Sequence, residues 1–230
     1  MKKDDRPVLI LASSSNLDSS DLYDAGSSGL LVSSLLVIHK TLTRFALDWE
    51  ISTMNGYKAL VNNDLQTEES SHFFSNFLGK INSPRALEDV KAEDYKAFII
   101  PNVKSFLGSY KGTPLINLMS GPVKTLIQSC KKGLLSGYGI VGTFECKENS
   151  SWVLEGRNIA SISMVQQSLD EKFANFHYLI EDKVRELGGN FVWNDRNDEL
   201  VVLDKGIVTV QDDSNLAIGC NLLGYVLTDS

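Results

Sequence analysis

The first signal along the chain is an unbroken apolar run, Val8-Leu9-Ile10-Leu11-Ala12. With no polar residue alternating in, it predicts a strand covered on both faces, as in the centre of a parallel sheet. A loop rich in Ser, Asn, Asp and Gly follows over residues 13–28. Residues 29–46 carry apolar side chains densely enough for a helix, with Asp48 just beyond. The run Trp49-Glu50-Ile51-Ser52-Thr53-Met54 then alternates and stops at Asn55-Gly56, a turn signal. Strand, helix and strand in that order predict a right-handed βαβ unit.

Residues 62–92 read as polar and irregular, with a short helix over residues 70–78 that puts Phe73, Phe74 and Phe77 on one side. Ala97-Phe98-Ile99-Ile100 is a second buried strand, closed by Pro101. A helix over residues 114–129 is broken or started by Gly121-Pro122. Gly133-Leu134-Leu135-Ser136 is the next strand, and Gly137-Tyr138-Gly139 is a tight turn into a further helix. Residues 157–162 predict a strand. Ser168 and Glu171 have capping-box spacing ahead of an apolar stripe, Phe173, Phe176, Leu179, Ile180, Val184 and Leu187, ended by Gly188-Gly189. Phe191-Val192-Trp193 begins another strand. Leu200-Val201-Val202-Leu203 and Ile207-Val208-Thr209-Val210 flank a hairpin-like link, and residues 216–227 form the closing helix. The expected fold is a three-layer α/β/α sandwich with a mostly parallel sheet, flavodoxin-like, in a single domain over residues 1–230.

Composition narrows the function. Lys plus Arg is 22 against 29 for Asp plus Glu, a net charge of −7. That argues against a broad electrostatic footprint for nucleic acid, so no direct nucleic-acid binding is expected. No apolar run reaches membrane-spanning length, so membrane insertion is not expected. Three cysteines with no CxxC spacing fit a reducing, cytoplasmic setting.

The chemistry-bearing residues are sparse. His39, His72 and His177 have no metal-motif spacing, and no metal or cofactor is expected. There is no dinucleotide fingerprint and no P-loop. Cys130 ends a helix, where the dipole opposes a thiolate, although Lys131 and Lys132 follow it. Cys146 has Glu145 and Glu148 nearby, which raise a thiol's pKa, and Cys220 reads as core. Ser136 lacks the flanking glycines of a nucleophile elbow. Cys130, Cys146 and Ser136 are therefore weak candidates for a displaced nucleophile. Gly137, at the apex of the strand-to-helix turn, has no side chain to react.

The strand Val8-Leu9-Ile10-Leu11-Ala12, the strand end Phe98-Ile99-Ile100-Pro101 and the turn Ser136-Gly137-Tyr138-Gly139 resemble the ThiJ/PfpI superfamily of class I glutamine amidotransferase-like domains. So do Leu187-Gly188-Gly189 and the tail from Val202 to Thr209. In active members a cysteine followed by a histidine sits at the elbow, with an acid from the loop after the first strand. The resemblance places those positions at Gly137, Tyr138 and Asp18, and the glycine pair that shapes an oxyanion hole at Asn102-Val103. It thus implies a degenerate site on an intact scaffold. A non-catalytic member of this group is a subunit of an assembly linking early endosomes to messenger RNA. The resemblance accordingly implies a protein acting through contacts, as a homo-oligomer or hetero-complex subunit in the cytoplasm, peripheral to early endosomes through partners. The alternatives are a hydrolase or glyoxalase-type enzyme with a displaced nucleophile, and a small-ligand-binding stress protein.

Overall fold

The computed structural model describes residues 4–14, 29–65, 67–194 and 199–229. β1 (Val8–Leu11) is fully buried, as its uninterrupted apolar run requires. A short strand β2 (Leu30–Leu31) leads into α1 (Val32–Arg44), so the helix begins three residues later than its apolar density suggests. β3 (Trp49–Thr53) follows. β4 (Val61–Asn62) pairs with β2 away from the main sheet. α2 (Glu68–Asn82) is longer than the helix expected over residues 70–78. Its start is fixed by a capping box, in which Thr67 Oγ1 accepts from the Ser70 N–H at 3.1 Å and Ser70 Oγ from the Thr67 N–H at 3.2 Å. A Ser in the place of the usual Glu or Gln hid that signal in the sequence.

β5 (Arg85–Ala86) and β6 (Ala97–Ile100) come next, then a small hairpin of β7 (Ser109–Tyr110) and β8 (Thr113–Pro114). α3 (Leu115–Cys130) runs straight through Gly121-Pro122. A proline in a helix interior costs about 3 kcal/mol. Leu115, Met119, Val123, Leu126 and Ile127 are all buried on one stripe. At roughly 1.5–3 kcal/mol each, that burial outweighs the proline.

β9 (Gly133–Ser136) is followed not by an α-helix but by a 3₁₀ stretch, Gly137–Thr143. The expected helix fails because Gly137, Gly139 and Gly142 disfavour it and because the segment is pressed against the end of β6. A hairpin of β10 (Lys147–Glu148) and β11 (Ser151–Trp152) then brings Trp152 Nε1 to donate to the Thr143 carbonyl at 2.8 Å. β12 (Asn158–Ala160) precedes α4 (Met164–Ser168).

The capping box lies five residues earlier than the sequence suggested. Ser163 and Gln166 form it, while Ser168 ends α4 with its hydroxyl donating to the Val165 carbonyl. The long helix expected after Glu171 is likewise broken. A 3₁₀ turn, Phe173–Asn175, and an extended link precede α5 (Ile180–Glu186). Only Ile180 and Val184 of the apolar stripe are buried on that helix. Phe176 and Tyr178 instead pack on Tyr138 and Phe144, with ring centroids 6.2 and 5.7 Å apart. Contacts from another part of the chain overrode the 3.6-residue period.

β13 (Asn190–Val192) pairs with β12 outside the main sheet. β14 (Val201–Asp204) and β15 (Ile207–Val210) form the expected hairpin, and α6 (Leu216–Thr228) closes the chain. The seven-stranded main sheet has the order β14-β15-β9-β6-β1-β3-β5, parallel except for the edge strand β14. α1 and α6 pack together, with α6 against β15 and β9. α3 lies against β6. From β1 the chain crosses one way to β3, and from β6 it crosses the other way to β9. Right-handed crossovers in opposite senses put α1 and α3 on opposite faces, which gives the mostly parallel three-layer α/β architecture. The reversal places a topological switch point beyond the carboxyl ends of β1 and β6, where such folds form their crevice. Among the described residues, no helix is long and apolar enough to cross a membrane.

Candidate functional site

β6 ends at Ile100 and β9 at Ser136, and both chains turn at the carboxyl edge of the sheet. Gly137 sits at φ +49°, in the left-handed region that glycine adopts without strain. The space in front of it belongs to Asn102. A Cβ on Gly137 would lie 2.4 Å from Asn102 Oδ1 and 2.6 Å from its Cγ. Two residues on, a Cβ on Gly139 would lie 2.2 Å from the Ile100 carbonyl oxygen, so the turn is packed directly on the end of β6.

Asn102 does more than fill space. Its Oδ1 accepts from the Tyr138 N–H at 2.9 Å, and its Nδ2 donates to Asp213 Oδ2 at 2.9 Å. Because β6 and β15 flank β9, this carboxamide ties loops from both neighbours across the end of β9. The Gly137 carbonyl accepts from Ser161 Oγ at 2.8 Å. Both faces of the turn's first peptides are therefore held by side chains. Val103, the second residue of the expected oxyanion-hole pair, is wholly buried.

Asp213 and Ser161 had no role in the sequence reading. The available signal was Asp212-Asp213, two carboxylates directly after the buried run Ile207-Val208-Thr209-Val210. Burial raises the pKa of Asp213. The hydrogen bond from Asn102 and one from Ser34 oppose that shift, and the charges of Asp212 and Asp64 add to it. Asp212 accepts from Gln166 Nε2 at 2.6 Å, and Gln166 Oε1 accepts from Gln211 Nε2 at 2.9 Å. A carboxamide–carboxylate network thus runs from α4 to the strand ends.

Tyr138 is 4% exposed and lies over this edge with its ring near-parallel to Phe176 (interplanar angle 22°). Lys104 Nζ is 5.8 Å from the ring centroid and pairs with Asp170. Burial, reinforced by Asp170, pushes the phenol's pKa well above its ordinary value. A neutral, packed phenol is a poor base at neutral pH. Asp18 lies outside the described residues.

The other candidates are dispersed. Cys130 Sγ lies 3.6 and 3.7 Å from the Ala92 and Tyr95 carbonyls, and burial raises its pKa to about 11 despite Arg6. Lys132 points elsewhere, with Nζ donating to the Val226 carbonyl at 3.0 Å. Cys146 Sγ lies 3.2 Å from the Ser120 carbonyl, and burial, with a smaller push from Glu145, raises it to about 12. Cys220 is wholly buried on α6 and also raised to about 12. Ser136 Oγ is buried with no hydrogen-bond partner among the described residues. Among the described residues, none of these four has a hydrogen bond to a histidine or carboxylate. Among the described residues, no cluster of His, Cys, Asp or Glu is arranged to hold a metal ion.

Cys130 gives a direct check. At pH 8 a thiol with a pKa near 11 is about one part in a thousand thiolate. Native Cys130 is therefore expected to alkylate with iodoacetamide at least a hundredfold more slowly than in urea, and faster as the pH rises toward 11. Peptide mapping of the alkylated protein reads this out.

A central, mostly parallel sheet with helices on both faces and a glycine-apex turn after β9 is a flavodoxin-like α/β arrangement of the kind that DJ-1/ThiJ/PfpI proteins share. Comparison with solved structures agrees. Rapid Encystment Protein 24 kDa of Francisella tularensis superimposes with a TM-score of 0.81 over 96% of this chain and 99% of that one, at 14% identity. Glyoxalase III of Candida albicans gives 0.73 over 94% and 95%, at 12% identity. A ThiJ/PfpI domain protein of Brachyspira murdochii gives 0.58 over 98% of both chains, at 16% identity.

In sequence, the chain is 26% identical over 194 residues to glutamine amidotransferase-like class 1 domain-containing protein 1 of Xenopus laevis, covering 79% of this chain and 81% of that protein. The human protein of the same name is 26% identical over 181 residues, covering 76% and 78%. No protein-family model matches the chain. The chain thus combines a DJ-1/ThiJ/PfpI fold with glutamine amidotransferase-like relatives.

Proposed function

We propose that this chain is a non-catalytic glutamine amidotransferase-like protein that acts through protein contacts. The observation that carries the reading is the Asn102 carboxamide, which occupies the space in front of Gly137 and accepts the Tyr138 N–H. An acyl- or carbonyl-transfer site needs a nucleophile at that apex and free amide donors for the developing oxyanion. Here the apex has no side chain and the Tyr138 amide is taken. The neighbouring aromatic is packed where a base would stand. This reading assigns the scaffold's use to its surface, as a homo-oligomer or as one subunit of a hetero-complex. The assembly linking early endosomes to messenger RNA is the candidate setting, with this chain held there by partners.

Cys130, Cys146 and Ser136 offer no support to a displaced-nucleophile enzyme, since the two thiols lie against backbone carbonyls and Ser136 Oγ has no hydrogen-bond partner among the described residues. Purified protein is expected to show no turnover of methylglyoxal or glutamine above a buffer blank. Affinity purification of the tagged native chain is expected to return a stoichiometric partner. Measurable turnover abolished by changing one of Cys130, Cys146 or Ser136 would overturn the reading. So would recovery of the chain alone as a monomer.

A further inference from the structure

The edge of the sheet opposite the elbow holds a half-buried titratable group flanked by aromatic rings. Trp49 is the first residue of β3 and is 1% exposed. Its Nε1–H donates to His39 Nδ1 at 3.1 Å, across from α1. The neutral imidazole must therefore carry its proton on Nε2. Phe77 and Phe73 of α2 close over the imidazole with ring centroids 4.6 and 5.3 Å away. Lys80, also of α2, sits 4.5 Å over the Trp49 ring and donates to the Trp49 carbonyl at 2.6 Å and to Asp48 Oδ1 at 2.9 Å. The remaining charges near the imidazole are Lys40 of α1, paired with Glu69 of α2, and Asp48 ahead of β3.

The geometry points to His39 as a proton-sensitive latch that holds α2 on α1 and β3 when neutral and releases it when protonated. A proton on Nδ1 would face the indole N–H, turning an acceptor into a second donor. The protein groups facing Nδ1 offer little else, since Thr43 Oγ1 is 3.5 Å away and the aromatic faces supply no strong acceptor. The new charge would also stand near the Lys80 ammonium, with Asp48 giving only partial relief. Burial and Lys80 in that order lower the histidine's pKa, and Asp48 opposes them.

The sign follows from that direction. The folded state prefers neutral His39, so its contribution is complete above the unfolded pKa of about 6.5 and is lost as the pH falls through that value toward the folded pKa. In a ¹H–¹⁵N spectrum the indole resonance of Trp49, assigned with Trp49→Phe, is expected to titrate upfield between pH 8 and 5. Hydrogen exchange of α2 amides, corrected for intrinsic pH dependence, is expected to accelerate about tenfold relative to α3 over the same range. In His39→Gln the side-chain carbonyl remains an acceptor at every pH, so both changes should vanish while the helix stays docked. An indole signal that titrates with no loss of α2 protection would overturn the latch. An indole signal that does not titrate would overturn it as well.

Discussion

Replacing Gly137 with cysteine is expected to give a protein about 3 kcal/mol less stable than the parent and still inactive. Two costs add. A side chain at φ +49° pays roughly 1–2 kcal/mol of left-handed strain. The Cβ, placed 2.4 Å from Asn102 Oδ1, must then displace the carboxamide. If Asn102 stays, overpacking costs roughly 1–3 kcal/mol. If it swings away, the Tyr138 N–H loses its acceptor, at about 1–3 kcal/mol for a buried donor. Either route gives a similar total. Urea denaturation measures the loss, and methylglyoxal and glutamine assays measure turnover. Turnover in the single variant, or a midpoint unchanged from the parent, would remove the basis for calling the site closed.

Asn102→Ala is expected to cost nearly as much, about 2–3 kcal/mol, for a different reason. It leaves the Tyr138 N–H unpaired and strips Asp213 of its Nδ2 donor. The second loss makes the effect depend on pH. Asp213 already has a raised pKa, so the stability it contributes is present below the ordinary carboxylate pKa and is lost as the pH rises through the folded value. Asn102 moderates that loss by stabilising the carboxylate. Without it the folded pKa rises further, and the variant should be more destabilised at pH 8 than in acid. Denaturation midpoints across that range decide the point. A further expectation is that Gly137→Cys costs less in the Asn102→Ala background than alone. The clash will already have been removed, giving a coupling of about 1 kcal/mol.

Turnover in the double variant is not expected either. Tyr138 packs against Phe176, with the Lys104–Asp170 ion pair beside its ring. No imidazole or carboxylate in the described structure is placed against residue 137. The packing at this turn is therefore distributed over several residues, and a single substitution at Gly137 is not expected to create turnover.

The buried strands were legible from sequence because their physics is local. Val8-Leu9-Ile10-Leu11, Ala97-Phe98-Ile99-Ile100 and the Leu134-Leu135 pair must be hidden on both faces, and only the interior of a parallel sheet does that. The hairpin of β14 and β15 was legible too, through its turn residues. The helices were less so. Pro122 did not break α3, because a long buried stripe offset one lost hydrogen bond. The Ser168–Glu171 spacing misled, because Phe176 and Tyr178 found partners in Tyr138 and Phe144, more than thirty residues away.

For the site, the sequence determined which residue types stand at the turn after β9 and at the end of β6. It showed Gly137 at the apex, Tyr138 beside it, and Asn102-Val103 directly after the proline that closes β6. It did not show that Asn102 itself fills the gap, or that Asp213 anchors Asn102 from the far side of β9. Those residues are 111 positions apart, and only the strand order β15-β9-β6 brings their loops together. Burial patterns are written residue by residue, so the chain alone fixes them. A hydrogen bond across a sheet edge depends on which strands are neighbours, and that is decided by the folded topology.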